Sequence, residues 1–267
     1  MICNVKGIPM YYEEYGKGTP ILFIHGYLVD HRLMTGCFEP VFNKLSGYRR
    51  IYIDLPGMGK SPAPSWLKNA DDMLDVVIEF TKNVIGDDAF LVAGESYGGY
   101  MALGLLHKMK SKINGVFFLC PVIESDYSKR ILPTHRLLHK DDSFTPPEEF
   151  LSMAVVSTPQ IYAAFEKNIL PSLEIADKEF TERYRKEGYA LSFDNALRDL
   201  VSDVPAAFLL GRQDAITGYA DALALIENFP RATFAVMDCT GHNLQIENEA
   251  LFAAHVVDWL RRVSYET

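Results

Sequence analysis

The chain has 267 residues, 48% hydrophobic and 23% charged, enough apolar material to fill the core of a sizeable folded body. Its 26 basic and 35 acidic side chains leave a formal charge of −9, which argues against nucleic acid and anionic membrane surfaces as main partners. No run reaches the ~18 apolar residues of a spanning helix, no signal-peptide pattern opens the chain, and Cys3, Cys37, Cys120 and Cys239 lack Cys-x-x-Cys spacing. A cytoplasmic protein with reduced thiols is expected.

The first residues read as a hairpin, Ile2 to Val5 and Ile8 to Tyr15, turning at Gly7. Beyond Gly16-Lys17-Gly18, strand and helix signals alternate. Ile21 to Ile24 is a buried-strand run opening into His25-Gly26-Tyr27, and Arg50 to Ile53 leads into the turn Asp54 to Ser61. That turn ends like a phosphate-binding loop, but Asp54 stands where Gly-x-x-x-x-Gly-Lys-Ser needs its first glycine, so the phosphate reading fails. Leu74, Val77, Ile78, Thr81 and Ile85 have the spacing of a helix packed on a sheet.

Between the apolar run Ala89 to Ala93 and the helical pattern Tyr100 to Leu106 lies Gly94-Glu95-Ser96-Tyr97-Gly98-Gly99, a fit to Gly-x-Ser-x-Gly. A strand turning sharply into a helix at a serine strains that serine and exposes its hydroxyl, which makes Ser96 a candidate nucleophile. Glu95 is read as a carboxylate bonded to local groups and facing away from any pocket.

Gly115 to Leu119 is a further strand, stopped by Pro121, and the alternation resumes only at Val204. The intervening 122–203 carries helical patterns around Pro147 to Val156, Thr158 to Leu170 and Asp177 to Glu187. An insertion this long is expected to form a cap over the sheet's carboxyl edge, dividing the chain into a body, 1–121 with 204–267, and a cap. His135 and His139 are four apart, as on a zinc-binding helix, but Arg136 replaces the needed glutamate; they are expected to decorate a helix surface, with no metal.

A serine hydroxyl needs a histidine base and an orienting carboxylate. The strand Val204 to Leu210 runs into Gly211-Arg212-Gln213-Asp214, and Ala232 to Val236 leads to Gly241-His242. Asp214 is therefore the candidate acid and His242 the candidate base, with Glu124, beyond the strand ending at Leu119, as a substitute acid.

The order Ser96, Asp214, His242, with His25-Gly26-Tyr27 and the Asp54 to Ser61 turn, resembles the α/β-hydrolase superfamily, in its cap-bearing branch of small esterases and prolyl iminopeptidases. The resemblance runs from about Gly7 to the C-terminus apart from the middle segment. It implies an α/β fold, a mostly parallel central sheet with helices on both faces and a helical cap. It also implies a serine hydrolase that cleaves a small carboxylic ester or related acyl compound through an acyl-enzyme, without cofactor. The N–H groups of Tyr27 and Tyr97 would form the oxyanion hole, and His25 would brace its loop. Tyr27, Tyr97, Val122, Tyr162 and Phe165 are the expected substrate contacts, while Met153, Leu170, Tyr184, Tyr189 and Phe193 are shared between cap core and pocket. The partner expected is a small-molecule acyl substrate. Two alternatives stay open. One is an aminopeptidase of prolyl-iminopeptidase type holding an ammonium with Glu95 or Glu124, although Glu95-Ser96-Tyr97 departs from the usual Gly-Ser-Trp. The other is a ligand-binding receptor on the same fold.

Overall fold

In the computed structural model, which describes residues 1–265, β1 (Ile2–Val5) and β2 (Ile8–Tyr15) form the expected antiparallel hairpin. Strands β3 (Thr19–Ile24), β4 (Tyr48–Ile53), β5 (Phe90–Glu95) and β6 (Ile113–Leu119) follow. Two short strands, β7 (His139–Lys140) and β8 (Val156–Ser157), pair with each other apart from the main sheet, and β9 (Ala206–Gly211) and β10 (Ala232–Met237) complete the set. The main sheet has the order β1-β2-β4-β3-β5-β6-β9-β10, parallel from β4 onward.

Every residue of β5 and β9 is buried, so both faces of the sheet must be covered. The period-two geometry of a strand sends Leu22 and Ile24 of β3 to one core and Ile21 and Phe23 to the other. Helices α1 (His31–Phe42), α2 (Ala70–Val84) and α3 (Tyr97–Lys108) precede the middle segment, whose helices are α4 (Glu148–Leu151), α5 (Pro159–Asn168), α6 (Leu170–Ile175), α7 (Lys178–Glu187) and α8 (Asp194–Arg198). Beyond it come α9 (Ala220–Leu223), α10 (Leu244–Glu247) and α11 (Glu249–Val263). α2 and α3 cover the first core, α1 and α11 the second. α2 starts where Asn69 accepts from the Asp72 N–H at 2.9 Å, with Asp71 and Asp72 at its positive end and Lys82 in its last turn. Among the described residues no helix is long and apolar enough to cross a membrane.

The middle segment adds Phe180, Tyr184 and Leu191 to the core under α2 and α3, and Phe150, Ile161 and Phe165 to the core under α1 and α11. It therefore straddles the sheet. α5 and α7 match the sequence pattern; their caps are Thr158, followed by Pro159, and Asp177, which accepts from the Phe180 N–H at 3.0 Å. The helix expected around Pro147 to Val156 is only the four-residue α4, because the chain then extends into β8. α6 and α8 have six and five residues, too short to display a helical period. His135 and His139 do not share a helix: the N–H groups of Leu138 and His139 donate to Val155 O, and His135 Nε2 bonds Ala154 O at 3.0 Å.

Candidate active site

Ser96 lies at the junction of β5 and α3 with φ +51° and ψ −115°, a left-handed backbone that a non-glycine residue adopts only under strain. The surrounding glycines are dictated by close approach. A Cβ on Gly94 would stand 2.3 Å from Gly98 O, and one on Gly98 would stand 2.1 Å from Ile24 O. The turn is fixed by the Ser96 N–H donating to Leu119 O at 2.9 Å and by Ser96 O accepting from the Val122 N–H at 3.0 Å. The Tyr97 N–H, first in α3, and the Tyr27 N–H make no hydrogen bond among the described residues. Next to Tyr27, His25 donates from Nδ1 to Gly26 O at 2.7 Å and accepts the Leu55 N–H on Nε2 at 2.9 Å, so it braces two loops.

Asp214 and His242 meet because the loops after β9 and β10 touch: a Cβ on Gly211 would stand 2.3 Å from Gly241 O. Asp214 is fully buried; Oδ1 accepts the N–H groups of Ile216 and Thr217 at 2.8 and 3.0 Å, and Oδ2 accepts Thr217 Oγ1 at 2.7 Å and His242 Nδ1 at 2.9 Å. Burial alone would raise the Asp214 pKa, but the His242 imidazole and these donors hold it below the usual carboxylate range. The histidine loop is tied down by Glu247, which accepts from the N–H groups of Gly241 and Val155, both at 2.6 Å.

The expectation for Glu95 holds only in part: it is bonded to nearby backbone at Gly26, but it does not face away from the pocket. Its carboxylate turns into the site, with Oε1 3.2 Å from His242 Nε2, the ring nitrogen opposite the one held by Asp214. The cause is its place at the end of a strand flanked by β3 and β6, where both faces are packed and the nearest cation is the imidazole. Burial pushes its pKa up to about 7 despite the opposing pull of His242. Burial works to lower the His242 pKa, but the two carboxylates prevail and carry it up to about 9. Ser96 Oγ has no hydrogen-bond partner among the described residues.

Above these groups lies a cavity of about 660 Å³. Glu95, Ser96 and His242 form part of its lining, with Leu33, Ile169 and Leu173 on the apolar side and Arg130 and Arg185 among the polar residues. Of the five expected substrate contacts only Tyr27 lines it. The Tyr97 ring is wholly buried, with its hydroxyl bonded to that of Tyr184. Val122 is 1% exposed, held beneath the site by its bond to Ser96 O. Phe165 is likewise 1% exposed and packs on Phe150, as does Tyr162, with ring centroids 5.3 Å apart in each case. Met153 and Tyr189 do line the cavity. Leu33 on α1, Ile169 between α5 and α6, and Leu173 on α6 escaped the sequence reading because nothing local marks which apolar side chain lines a cavity. Glu124 does not reach the base; it is ion-paired with Arg198 and accepts the Asp126 N–H.

Two triplets have potential metal-ligand atoms close together, Cys120 with Asp214 and His242, and Asp30 with His31 and Asp54. The carboxylates of Asp214 and Asp54 are already committed to imidazole and backbone N–H donors. Both triplets are accounted for as hydrogen-bonded clusters.

The sequence profile of the alpha/beta hydrolase family matches residues 21–255. The AB hydrolase superfamily protein YisY of Bacillus subtilis (strain 168) is 24% identical over 255 residues, covering 91% of each chain. A pimeloyl-[acyl-carrier protein] methyl ester esterase of Legionella pneumophila (strain Corby) is 23% identical, covering 93% of this chain and 98% of its own. Among solved structures, an alpha/beta superfamily hydrolase from Oenococcus oeni PSU-1 superposes with a TM-score of 0.90 at 33% identity, over 96% of both chains.

Proposed function

Because the chain belongs to the alpha/beta hydrolase family, we propose that it is a serine hydrolase that cleaves a small carboxylic ester through an acyl-enzyme. The observation that carries this reading is the bond between His242 Nδ1 and Asp214 Oδ2 beside a strained Ser96 on the floor of a cavity. In the proposed reaction Ser96 Oγ attacks the acyl carbon, His242 takes its proton and passes it to the leaving alcohol, and Asp214 fixes the imidazole tautomer. In this reading the N–H groups of Tyr27 and Tyr97, which make no hydrogen bond among the described residues, take the developing oxyanion, with the N-terminus of α3 adding its positive dipole end. Water then cleaves the acyl-enzyme by the same route, and none of these steps calls for a cofactor.

An ester substrate is favoured by the relatives whose names record methyl ester esterase activity. The segment 122–203 is proposed as the lid that sets substrate range, since Met153, Ile169, Leu173 and Tyr189 line the cavity from it. A fluorophosphonate probe followed by turnover assays tests the reading. Labelling of Ser96 with hydrolysis of p-nitrophenyl acetate is expected. Turnover of aminoacyl naphthylamides instead would establish the aminopeptidase, and labelling without turnover of any acyl substrate would establish a receptor.

A further inference from the structure

The imidazole of His242 lies between two carboxylates. Asp214 holds Nδ1 by a hydrogen bond at 2.9 Å, the arrangement a general base needs, but Nε2, the nitrogen that must receive the serine proton, is ion-paired with Glu95 Oε1 at 3.2 Å. We propose that Glu95 is a positioning residue that clamps the base: in the resting enzyme it engages Nε2 in place of Ser96, and turnover begins only once that contact is released. This rests on the serine-hydrolase reading and adds to it a control on the nucleophile's activation.

The contact is built into the fold. Glu95 is 2% exposed and is reached only from the cavity that it helps to line. Gly26 makes room for it, since a Cβ there would stand 2.0 Å from Glu95 Oε2. Glu95 also immediately precedes Ser96, so any shift of its backbone is felt at the elbow.

The proton accounting follows from the lone pairs. While His242 is protonated on both ring nitrogens, the form that its ion pair with Glu95 Oε1 favours, Nε2 has no lone pair with which to accept from Ser96 Oγ–H. Transfer of the Nε2 proton to Glu95 Oε1 breaks the N–H bond, forms an O–H bond and leaves a neutral acid beside a neutral imidazole. Nε2 can then take the Ser96 proton as Oγ bonds to the acyl carbon. With His242 raised to about 9 and Glu95 to about 7, the resting proton belongs to the imidazole, and Glu95 holds it only while the neutral pair lasts.

The groups that set the charge of the pair are few. Asp214 and Glu95 stabilise the imidazolium, Arg130 disfavours it, and Thr217 Oγ1 lies 3.4 Å from Nδ1. Asp214 also acts on Glu95, and Tyr189, Cys37 and Cys120 feel the Glu95 charge. Because the balance raises the pKa of His242, a higher pH is needed to bring it to its basic form. Esterase kcat/KM should therefore rise on the alkaline side of neutrality.

The test is the isosteric Glu95→Gln, which keeps the volume and removes the charge. The pH midpoint of kcat/KM for p-nitrophenyl acetate should fall by one unit or more, so that at a pH below both midpoints the fraction of active base increases about tenfold or more. ¹⁵N NMR of the histidine ring nitrogens gives a second reading that requires no turnover. In the wild-type protein and in Ser96→Ala, the His242 midpoint should lie well above the ordinary histidine value, and Glu95→Gln should lower it by one unit or more. A wild-type His242 midpoint at the ordinary value, or Glu95→Gln with lower activity and an unmoved midpoint, overturns the proposal. Failure of the serine-hydrolase reading is recognised separately, as loss of phosphonate labelling at Ser96, and does not affect the NMR titration.

Discussion

Replacing Asp214 by Asn changes one oxygen into an NH₂ group, and the hydrogen bonds decide where that group goes. Oδ1 accepts two backbone N–H donors, from Ile216 and Thr217, so the amide oxygen must take its place. The NH₂ then occupies the Oδ2 position, facing Thr217 Oγ1 and His242 Nδ1. It donates to Nδ1 and forces the ring proton onto Nε2, the tautomer that cannot act as a base toward Ser96. The loss in kcat should be about 10⁴, or about 5.5 kcal/mol of transition-state stabilisation, with the fold preserved because two of the original contacts persist. Glu124→Gln is the control. Its partner Arg198 is 47% exposed and nowhere touches His242, so the cost should be about tenfold at most. The assay is p-nitrophenyl acetate hydrolysis at saturating substrate, with circular dichroism to verify folding. Asp214→Asn within tenfold of wild type, with Glu124→Gln down by 10³ or so, would move the acid to Glu124 and refute this reasoning.

Ser96→Ala should lower kcat by about 10⁶ with the fold intact, and near wild-type hydrolysis by a clean preparation would remove Ser96 as nucleophile. Phe165→Ala, emptying a buried aromatic site, should cost about 3–5 kcal/mol and lower Tm by roughly 10 °C while leaving acyl-chain preference in place. Leu173→Trp, in the cavity lining, should do the reverse: Tm changes little and relative kcat/KM among acyl chains shifts by about tenfold. A reordered preference in Phe165→Ala at unchanged Tm would show that the ring reaches substrate. His25→Ala orphans the Leu55 N–H and should destabilise the protein by about 1–3 kcal/mol in urea titration; an unchanged midpoint would mean that the loop finds another acceptor.

The middle of the sheet was legible because strands such as β5 and β9 are buried on both faces and so appear as unbroken apolar runs, Leu91-Val92-Ala93 and Phe208-Leu209-Leu210. The positions of Ser96, Asp214 and His242 just past strand ends were legible because each carries its own glycine signal, although β10, which leads to His242, is only half-buried. The direction of the Glu95 side chain was not, since it depends on which cation the fold brings to it, and His242 arrives from the far end of the chain. The middle segment was legible only in its longer helices. Phe165 and Leu173 are both apolar residues on short helices, yet one fills the core and the other borders the cavity, a distinction set by how those helices lie and not by any local pattern.

The carboxylate of Glu247 joins Gly241, next to His242, to Val155 at the edge of β8, and it also accepts the Val156 N–H at 3.3 Å. That stitch limits how the protein can be re-engineered. A middle segment transplanted from a relative would bring a different strand edge to Glu247 and release the loop that carries His242. A working chimaera must therefore exchange 153–157 and 241–247 as one block. The opposite margin, 125–145, is anchored to the acid's loop instead: Arg130 donates to Ile216 O at 3.0 Å and the Ile131 N–H to Asp221 Oδ2 at 3.1 Å, so an exchanged segment must match both loops of the candidate triad.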